Sequence, residues 1–279
     1  MTIMNLPTRA TLASLSLILL MGTTVSAGVV ALSPHRAVYD LTLKSASDRS
    51  GVKDLNGRMV LEMTGSVCDG WSVNFRLVND FQLPRGRSRL VDSRSTSWEA
   101  GDGSSMSYLE REFIDNRPHQ VTRLRVSMKD GKVRQKQPKE VVFDLPANAI
   151  FPVTHQKRLI EKAQKGELRD KSIVYDGADR DNIYQAITFI GKKRSGEKQA
   201  AGLKGQGAAA LLNGTKFWPV TVSYYTLKDK DDQDTPNQQI SFQMYENGIA
   251  GDLTIDYGDF AMSGKLVRLE QLPQGKCEK

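Results

Sequence analysis

The sequence has very little cysteine and histidine. Cysteine occurs only at Cys68 and Cys277, and the three histidines, His35, His119 and His155, stand far apart in the 279 residues. No Cys-x-x-Cys pair is present for thiol redox chemistry, and no two histidines have the spacing of zinc ligands. The sequence therefore predicts neither a metal site nor a cofactor.

Sequence motifs of catalysis are also missing. The chain lacks a His-Glu-x-x-His element and a Gly-x-Ser-x-Gly nucleophile elbow. The stretch GKKRSGEK has the glycine spacing of a phosphate-binding loop, but Glu197 occupies the lysine position. We expect no catalytic residues and no enzyme, although a catalytic triad can form in space without any sequence motif.

Long hydrophobic runs are absent except for one near the N-terminus. The apolar stretch Leu12–Met21 follows a basic segment and precedes the small residues TTVSAG. This order is typical of a secretory signal peptide, and the run is too short to span a bilayer. The pattern predicts a signal peptide over residues 1–27, cleavage near Ala27–Gly28, and a single periplasmic domain over residues 28–279. Because no cysteine follows the cleavage site, we expect no lipid anchor.

Export changes the interpretation of the two cysteines. Thiol pairs outside the cytosol usually form disulfides, and Cys68 and Cys277 are the only candidates. The bond would close a loop of 209 positions, and the entropy removed from an unfolded loop of this size sets an upper limit of about 5 kcal/mol on the stabilisation. The alternative is two unrelated buried thiols.

The charge balance is mildly basic. The chain has 39 basic and 32 acidic side chains and a net charge of +7, and removal of Arg9 with the signal peptide leaves +6. Such an excess favours anionic surfaces such as lipid headgroups or wall polymers. Nucleic acid is not an expected partner for an exported chain without a binding motif, and the sequence does not specify an oligomeric state.

Alternation of apolar and polar residues dominates the rest of the chain. The stretches YDLTL, WSVNFRL, TRLRVSM and WPVTVSYY each place apolar side chains on one face, and LNGR, KDGK and ENGIAGD separate such segments as turns. This pattern indicates half-buried antiparallel strands, a dozen or more in number. Large aromatic side chains at inward positions are Trp71, Phe75, Trp218 and Phe242.

One segment, FPVTHQKRLIEKAQKGE, has the period of a helix instead. Pro152 suits the first helical turn and Gly166 the C-terminal side. The predicted helix places His155 on its solvated side, and we expect it to plug an open barrel end or cover a sheet edge. Its apolar stripe consists of Val153, Leu159, Ile160 and Ala163.

Three polar segments are interpreted without a specific function. The Gly- and Lys-rich residues 191–207 predict a long mobile loop. The acidic stretch Asp176–Asp181 lacks the residues of a calcium loop, and a turn whose aspartates accept backbone hydrogen bonds is the simpler interpretation. The basic cluster of Arg85, Arg87, Arg89 and Arg94 could dock an anionic partner, but a solvated strand face next to acidic neighbours is favoured.

Several stretches resemble a known family. STSWEAGDGSSM, FPVTHQKRLIEKAQKGE and YDGADRDNIYQAITFIGKK occur in that order, with one cysteine before them and one at the C-terminus. Together they resemble the EipB family of periplasmic cell-envelope integrity proteins, from about Tyr39 to Cys277. The resemblance implies an all-β fold with one main helix, in which a long antiparallel sheet is wound as a β-spiral or incomplete barrel and joined by a Cys68–Cys277 disulfide. Ala178 departs from the serine expected there, and the resemblance carries no catalytic residues.

Three functional hypotheses of different classes can be compared with these observations. The first is a non-catalytic periplasmic protein that supports envelope integrity by binding an envelope component, either protein or lipid. The second is a carrier of lipid or lipoprotein acyl chains, because a curved sheet with a helical plug is similar to the half-open barrels that carry lipoproteins. The third, an enzyme acting on wall or lipid substrates, has no positive support in the sequence.

Overall fold

The computed structural model describes residues 30–177, 183–196, 198–227 and 235–275, together with Cys277. The predicted signal peptide, Ala178 and the two central aspartates of the acidic turn, Asp179 and Asp181, lie outside the described residues. In the part of the chain that is described, no helix combines the length and apolarity needed to cross a bilayer.

The alternating segments form a single sheet of fifteen strands, as the sequence pattern predicts. The strands are β1 His35–Ala46, β2 Asp54–Ser66, β3 Gly70–Gln82, β4 Ser88–Glu99, β5 Ser105–Ile114, β6 Arg117–Ser127, β7 Lys132–Gln137, β8 Val141–Asp144, β9 Ala149–Ile150, β10 Arg169–Tyr175, β11 Ile183–Ile190, β12 Phe217–Thr226, β13 Gln238–Tyr245, β14 Ala250–Asp256 and β15 Phe260–Gln271. The two α-helices are α1 Pro152–Gln164 and α2 Ala208–Leu212.

The strand order is nearly the order of the sequence. The sheet runs β8-β7-β6-β5-β4-β3-β2-β1-β15-β14-β13-β12-β11-β10-β9, so β1 and β15 are the neighbours that are distant in sequence. Neighbouring strands pair antiparallel except β9 and β10, which are parallel and connected through α1. The sheet does not close, and β8 and β9 are its two edges.

The sheet curves around α1. A single cluster of buried residues contains Leu159 and Ile160 of the helix, Trp71 of β3 and Trp218 of β12. Because these two strands lie on opposite sides of the β1–β15 pair, the sheet must bend to bring both against one helix. We call this side the concave face. The predicted inward positions of Trp71 and Trp218 are confirmed, and both side chains are buried.

Helix α1 follows the predicted pattern. Pro152 occupies its first position, and Val153, Leu159, Ile160 and Ala163 are buried. Gly166 follows the helix with a φ of 79°, a left-handed conformation that glycine adopts without steric cost. The helix therefore begins and ends where its sequence signals indicate, and it occupies the concave face as a plug.

The prediction of a long mobile loop over residues 191–207 is wrong at Arg194 and over residues 204–207, which pair with strands of the sheet. Lys204 exchanges backbone hydrogen bonds with β15, its N–H donating to the Val267 carbonyl at 3.1 Å and its carbonyl accepting from the Leu269 N–H at 2.8 Å. A Cβ at Gly205 would lie 2.1 Å from the Leu269 carbonyl oxygen, so only glycine permits this approach. Gly205 and Gly207 therefore allow the backbone to lie against β15.

Candidate functional site: the concave face and its helical plug

The N-terminus of α1 is held by a buried carboxylate. Glu99, at the end of β4, is 3% exposed. It accepts hydrogen bonds from the Val153 N–H at 2.9 Å and from the Thr154 N–H at 2.8 Å, and the Thr154 hydroxyl also donates to it. Because the first N–H groups of a helix have no partner within the helix, a carboxylate in this position satisfies them and complements the helix dipole. Burial raises the pKa of Glu99, and these hydrogen bonds oppose the rise.

A second buried carboxylate holds the other side of α1. The Asp170 side chain, on β10, is fully buried and accepts hydrogen bonds from the Arg158 guanidinium at 2.8 Å and the Ser172 hydroxyl at 2.6 Å. Lys162 Nζ lies 3.3 Å from the same carboxylate. Burial alone would raise the pKa of Asp170, but the hydrogen bonds from Ser172 and Arg158 outweigh burial and lower it. Asp170 therefore stays ionised and fixes the helix to the sheet.

The position predicted for His155 is wrong. Its side chain is buried against the sheet rather than solvated, with Nε2 3.8 Å from Asp170 Oδ2. Burial lowers the pKa of His155 to about 4, the Asp170 carboxylate opposes this shift, and the Arg158 charge adds to it. The imidazole is therefore neutral at pH 7, and its contribution to the helix interface is packing.

The Cys68–Cys277 disulfide joins the C-terminal tail to the β2–β3 turn. The β2–β3 turn also contacts the end of β4: Trp98 Nε1 donates a hydrogen bond to the Asp69 carbonyl at 3.1 Å. Gly101 lies in the β4–β5 turn. A Cβ at this position would lie 1.9 Å from the Val67 carbonyl oxygen, so glycine is required for the close packing of the β4–β5 turn against the β2–β3 turn. The covalent bond therefore secures the same region of the sheet that holds the N-terminus of α1.

Beyond the plug, part of the concave face stays accessible to solvent. Phe75 of β3, Tyr224 of β12 and Phe242 of β13 point to this face and are only half-buried. Phe242 and Tyr224 pack against the cluster that contains α1, and Phe75 packs against the neighbouring cluster around Tyr39. The predicted inward positions of Phe75 and Phe242 are confirmed, and each of these side chains keeps part of its surface accessible to solvent.

A polar strip lies on the same face, on β4 and β5. Ser95 lies directly opposite Glu110 in the strand register, and Tyr108 interacts with both side chains. Burial raises the pKa of Glu110, and the charges of Glu112 and Asp176 raise it further. On the concave face, Phe75 of β3 therefore lies directly opposite Ser95, and the Glu110 carboxyl group lies on the next strand.

The described residues offer no cluster of three or more metal-ligating side chains. The predicted arginine cluster is divided by the fold. Arg85 lies in the β3–β4 turn with a φ of 64°, whereas Arg94 lies on the outer face of β4 and donates to Asp92 at 2.7 Å. For Arg94, the expectation of a solvated strand face beside an acidic neighbour is confirmed.

Comparison with known proteins agrees with this architecture. A family model described as EipB-like matches residues 26–273. The chain is 36% identical over 259 residues to the cell envelope integrity protein EipB of Brucella abortus (strain 2308), covering 91% of this chain and 90% of that protein. The chain belongs to the EipB-like family. A crystal structure of a beta-barrel-like protein from Brucella abortus superposes with a TM-score of 0.80 at 35% identity, over 88% of this chain and 100% of the other.

In this EipB-like protein, the stretches that carry the family resemblance meet in space. Glu99 belongs to the stretch STSWEAGDGSSM. It accepts hydrogen bonds from the N–H groups of Val153 and Thr154, which belong to FPVTHQKRLIEKAQKGE. The third stretch begins at Tyr175, which is fully buried and whose ring lies 6.2 Å from that of Phe143. The family pattern in this chain therefore marks the seating of the plug and the end of β10.

The interactions of Asp170 predict that its contribution to stability depends on pH. Asp170→Asn is expected to lower the free energy of unfolding by about 2 kcal/mol at pH 7, because charge-assisted hydrogen bonds to Arg158 are lost in a buried site. The fold lowers the pKa of Asp170 below its value in the unfolded chain, near 3.8. The ionised carboxylate therefore stabilises the folded state at pH values above 3.8, and this stabilisation is lost as the pH falls through the pKa of Asp170 in the folded state. The difference between the variant and the wild type should therefore shrink between pH 5 and pH 2 in urea titrations.

The matched control is Asp144→Asn. The Asp144 carboxylate is also paired, with Lys132 at 2.6 Å, but its side chain is 83% exposed. Exposed ion pairs contribute about 0–1 kcal/mol, so this variant should differ little from the wild type at any pH. Equal effects of the two substitutions would contradict a structural role for Asp170.

Proposed function

We propose that the protein is a non-catalytic factor of the cell envelope, exported after removal of residues 1–27, that supports envelope integrity by binding an envelope component on its concave face. The relative from Brucella abortus is named a cell envelope integrity protein, and identity extends over nearly the whole of both chains. The observation that carries the proposal is the presence of three half-buried aromatic side chains, Phe75, Tyr224 and Phe242, on the same face of the sheet as the plug.

The binding component of this proposal is supported by the burial pattern. Trp71 and Trp218, which point to the concave face, are buried. Phe75 and Phe242 instead keep accessible surface on the same face. Apolar surface of this kind, next to hydroxyl and carboxyl groups, is typical of a binding site.

The cellular test is deletion of the gene followed by complementation. Cells without the protein should become sensitive to detergent and to wall-active antibiotics, and the wild-type gene should restore resistance. Phe242→Asp should fail to restore it although the protein accumulates and gives the wild-type circular-dichroism spectrum. Unchanged resistance on deletion would count against the envelope role, and turnover of a wall or lipid substrate that is lost with a concave-face carboxylate would contradict the non-catalytic assignment.

A second candidate is a carrier of lipid or lipoprotein acyl chains. The observation that favours it is the position of Phe75 and Phe242 on strands from both sides of the β1–β15 pair, facing one concave surface. An acyl chain is long and apolar and would contact both strands at once. In this case the envelope component is the acyl group of a lipid or lipoprotein.

The carrier candidate predicts binding of a fluorescent fatty-acyl probe. The double variant Phe75→Ala, Phe242→Ala should weaken probe binding by about tenfold, because two aromatic contacts with the chain are lost. Phe189→Ala is the control, since Phe189 is 50% exposed and stacks on Arg169 away from the concave face. No fluorescence change with any acyl probe would exclude the carrier candidate, and native mass spectrometry of protein purified without reductant would then direct the search to protein partners.

A further inference from the structure

The outer face of the sheet contains arginines placed directly opposite one another. On β3, β4 and β5, Arg76 pairs with Arg94 and Arg94 with Arg111 in the strand register. On β6 and β7, Arg125 pairs with Arg134. Neighbouring strands are about 4.8 Å apart, and like charges directly opposite are unfavourable. A carboxylate or an anionic partner nearby would relieve this repulsion.

One end of this array is compensated within the protein. Asp92 accepts hydrogen bonds from Arg76 at 2.9 Å and from Arg94 at 2.7 Å. Burial would raise the pKa of Asp92, but the hydrogen bonds from Arg94 and Arg76 outweigh burial and lower it to about 2. Asp92 is therefore ionised at all physiological pH values and neutralises part of the charge on β3 and β4.

The other end is compensated only at Arg134 in the described residues. Arg111, Arg123 and Arg125 are exposed, and in the described ranges no carboxylate lies within ion-pair distance of them. Arg134 pairs with Asp130, so its charge is partly neutralised. We call Arg111, Arg123, Arg125 and Arg134 the outer arginine face.

The surrounding surface is basic as well. Between residues 111 and 144, eight basic side chains but only four acidic ones are exposed. The exposed basic residues are Arg111, Arg117, Arg123, Arg125, Lys129, Arg134, Lys136 and Lys139, and the exposed acidic residues are Asp115, Asp130, Glu140 and Asp144. The mild positive charge of the whole chain is therefore concentrated on the strands near one edge of the sheet.

Apolar side chains lie between these arginines. In the strand register Arg123 is opposite Leu109, Arg111 is opposite Val121, and Arg134 is opposite Val142. Val142 is 57% exposed, on the edge strand β8. Basic side chains interspersed with accessible apolar ones on an open surface are suited to the headgroup region of a membrane, where arginine binds phosphate and the apolar groups reach the acyl boundary.

We propose that the outer arginine face docks the protein onto a membrane surface containing anionic phospholipids. The guanidinium groups project from adjacent strands of an outer sheet face, so they present a two-dimensional array of positive charge. A plane of lipid phosphates is complementary to such an array. The proposal is independent of what the concave face binds, since the two surfaces are on opposite sides of the sheet.

The test is co-sedimentation of the mature protein with vesicles of phosphatidylcholine containing 30% phosphatidylglycerol. The wild type should bind these vesicles, bind neutral phosphatidylcholine vesicles much less, and dissociate as salt is raised. The triple variant Arg111→Gln, Arg123→Gln, Arg125→Gln should lose affinity for the anionic vesicles by at least about tenfold, because each basic residue near such a surface contributes roughly a fivefold factor.

The control variant is Lys44→Gln, Arg49→Gln, Lys53→Gln, which removes the same charge from exposed positions around the β1–β2 turn. It should retain binding within about twofold. Equal loss in both variants would show an effect of net charge alone and would overturn the proposal. Failure of the wild type to bind anionic vesicles would also overturn the proposal. Binding of an acidic protein to the outer arginine face would then identify that protein as the competing occupant.

Discussion

Replacing Glu99 by glutamine is expected to lower the free energy of unfolding by about 3 kcal/mol, because a buried carboxylate that receives the Val153 and Thr154 N–H groups becomes an amide with one donor end. For a chain of this size the melting temperature should fall by about 6–12 °C. Thermal denaturation followed by circular dichroism measures the change. The variant should also expose the first turn of α1 to amide hydrogen exchange, since one of these two N–H groups loses its acceptor.

Glu161→Gln is the matched control for this prediction. Glu161 also belongs to α1, but it is exposed, and no ion pair of its side chain is found in the described part of the chain. Its substitution should change the melting temperature by no more than about 1–2 °C. If Glu99→Gln melted like the control, the buried carboxylate would not be what holds the plug.

Loss of the disulfide is expected to have a comparable effect. The double variant Cys68→Ser, Cys277→Ser should lose about 2–5 kcal/mol of stability, since the bond joins positions 209 residues apart and restricts the unfolded chain. Proteolysis should begin near the C-terminal tail, because Cys277 lies beyond the end of β15 and the covalent bond ties it to the β2–β3 turn. Most of the β signal in circular dichroism should remain, as the strand ladders do not depend on the sulfur atoms.

The wild type under reducing conditions provides the internal comparison. Adding reductant should bring its melting temperature to that of the double variant, and the double variant itself should not respond to reductant. A wild-type melting temperature that is the same with and without reductant would mean that the bond contributes nothing to stability.

The sequence predicts the sheet well because strand alternation is a local signal. Tyr39, Leu41 and Leu43 reveal the buried face of β1 without knowledge of its neighbours, and the same reasoning identified Trp71 and Trp218 as inward. The bounds of α1 were predictable for the same reason, because proline at its start and glycine after its end affect the backbone conformation of their own helical turn.

The seating of the helix was not predictable, because it depends on contacts that are distant in sequence. Glu99 is 54 residues from Val153, so nothing in either stretch indicates that one caps the other. His155 was placed on the solvated side because it lies outside the strongest apolar stripe, yet Asp170 of β10 borders the pocket that receives it. Polar residues in a buried helix interface are recognised only when their partners on the sheet are known.

The interpretation of residues 191–207 failed for a different reason. Glycine and lysine are common in mobile loops, but glycine also permits close contact between backbones. Gly205 serves this second purpose against Leu269 of β15. Composition alone does not distinguish the two uses, whereas the hydrogen bonds of Lys204 do.

The strand order also determines when the sheet can be completed during folding. The strands β1–β8 form one run of local hairpins and β10–β15 another, and the two runs meet at the β1–β15 pair. Hairpins between consecutive strands form early, because closing short loops costs little entropy. One edge of β1 must remain unpaired until the last strand of the chain arrives. The chain therefore carries a vulnerable strand edge until β15 is available, and the interval before β15 pairs is the stage at which aggregation competes most strongly with folding.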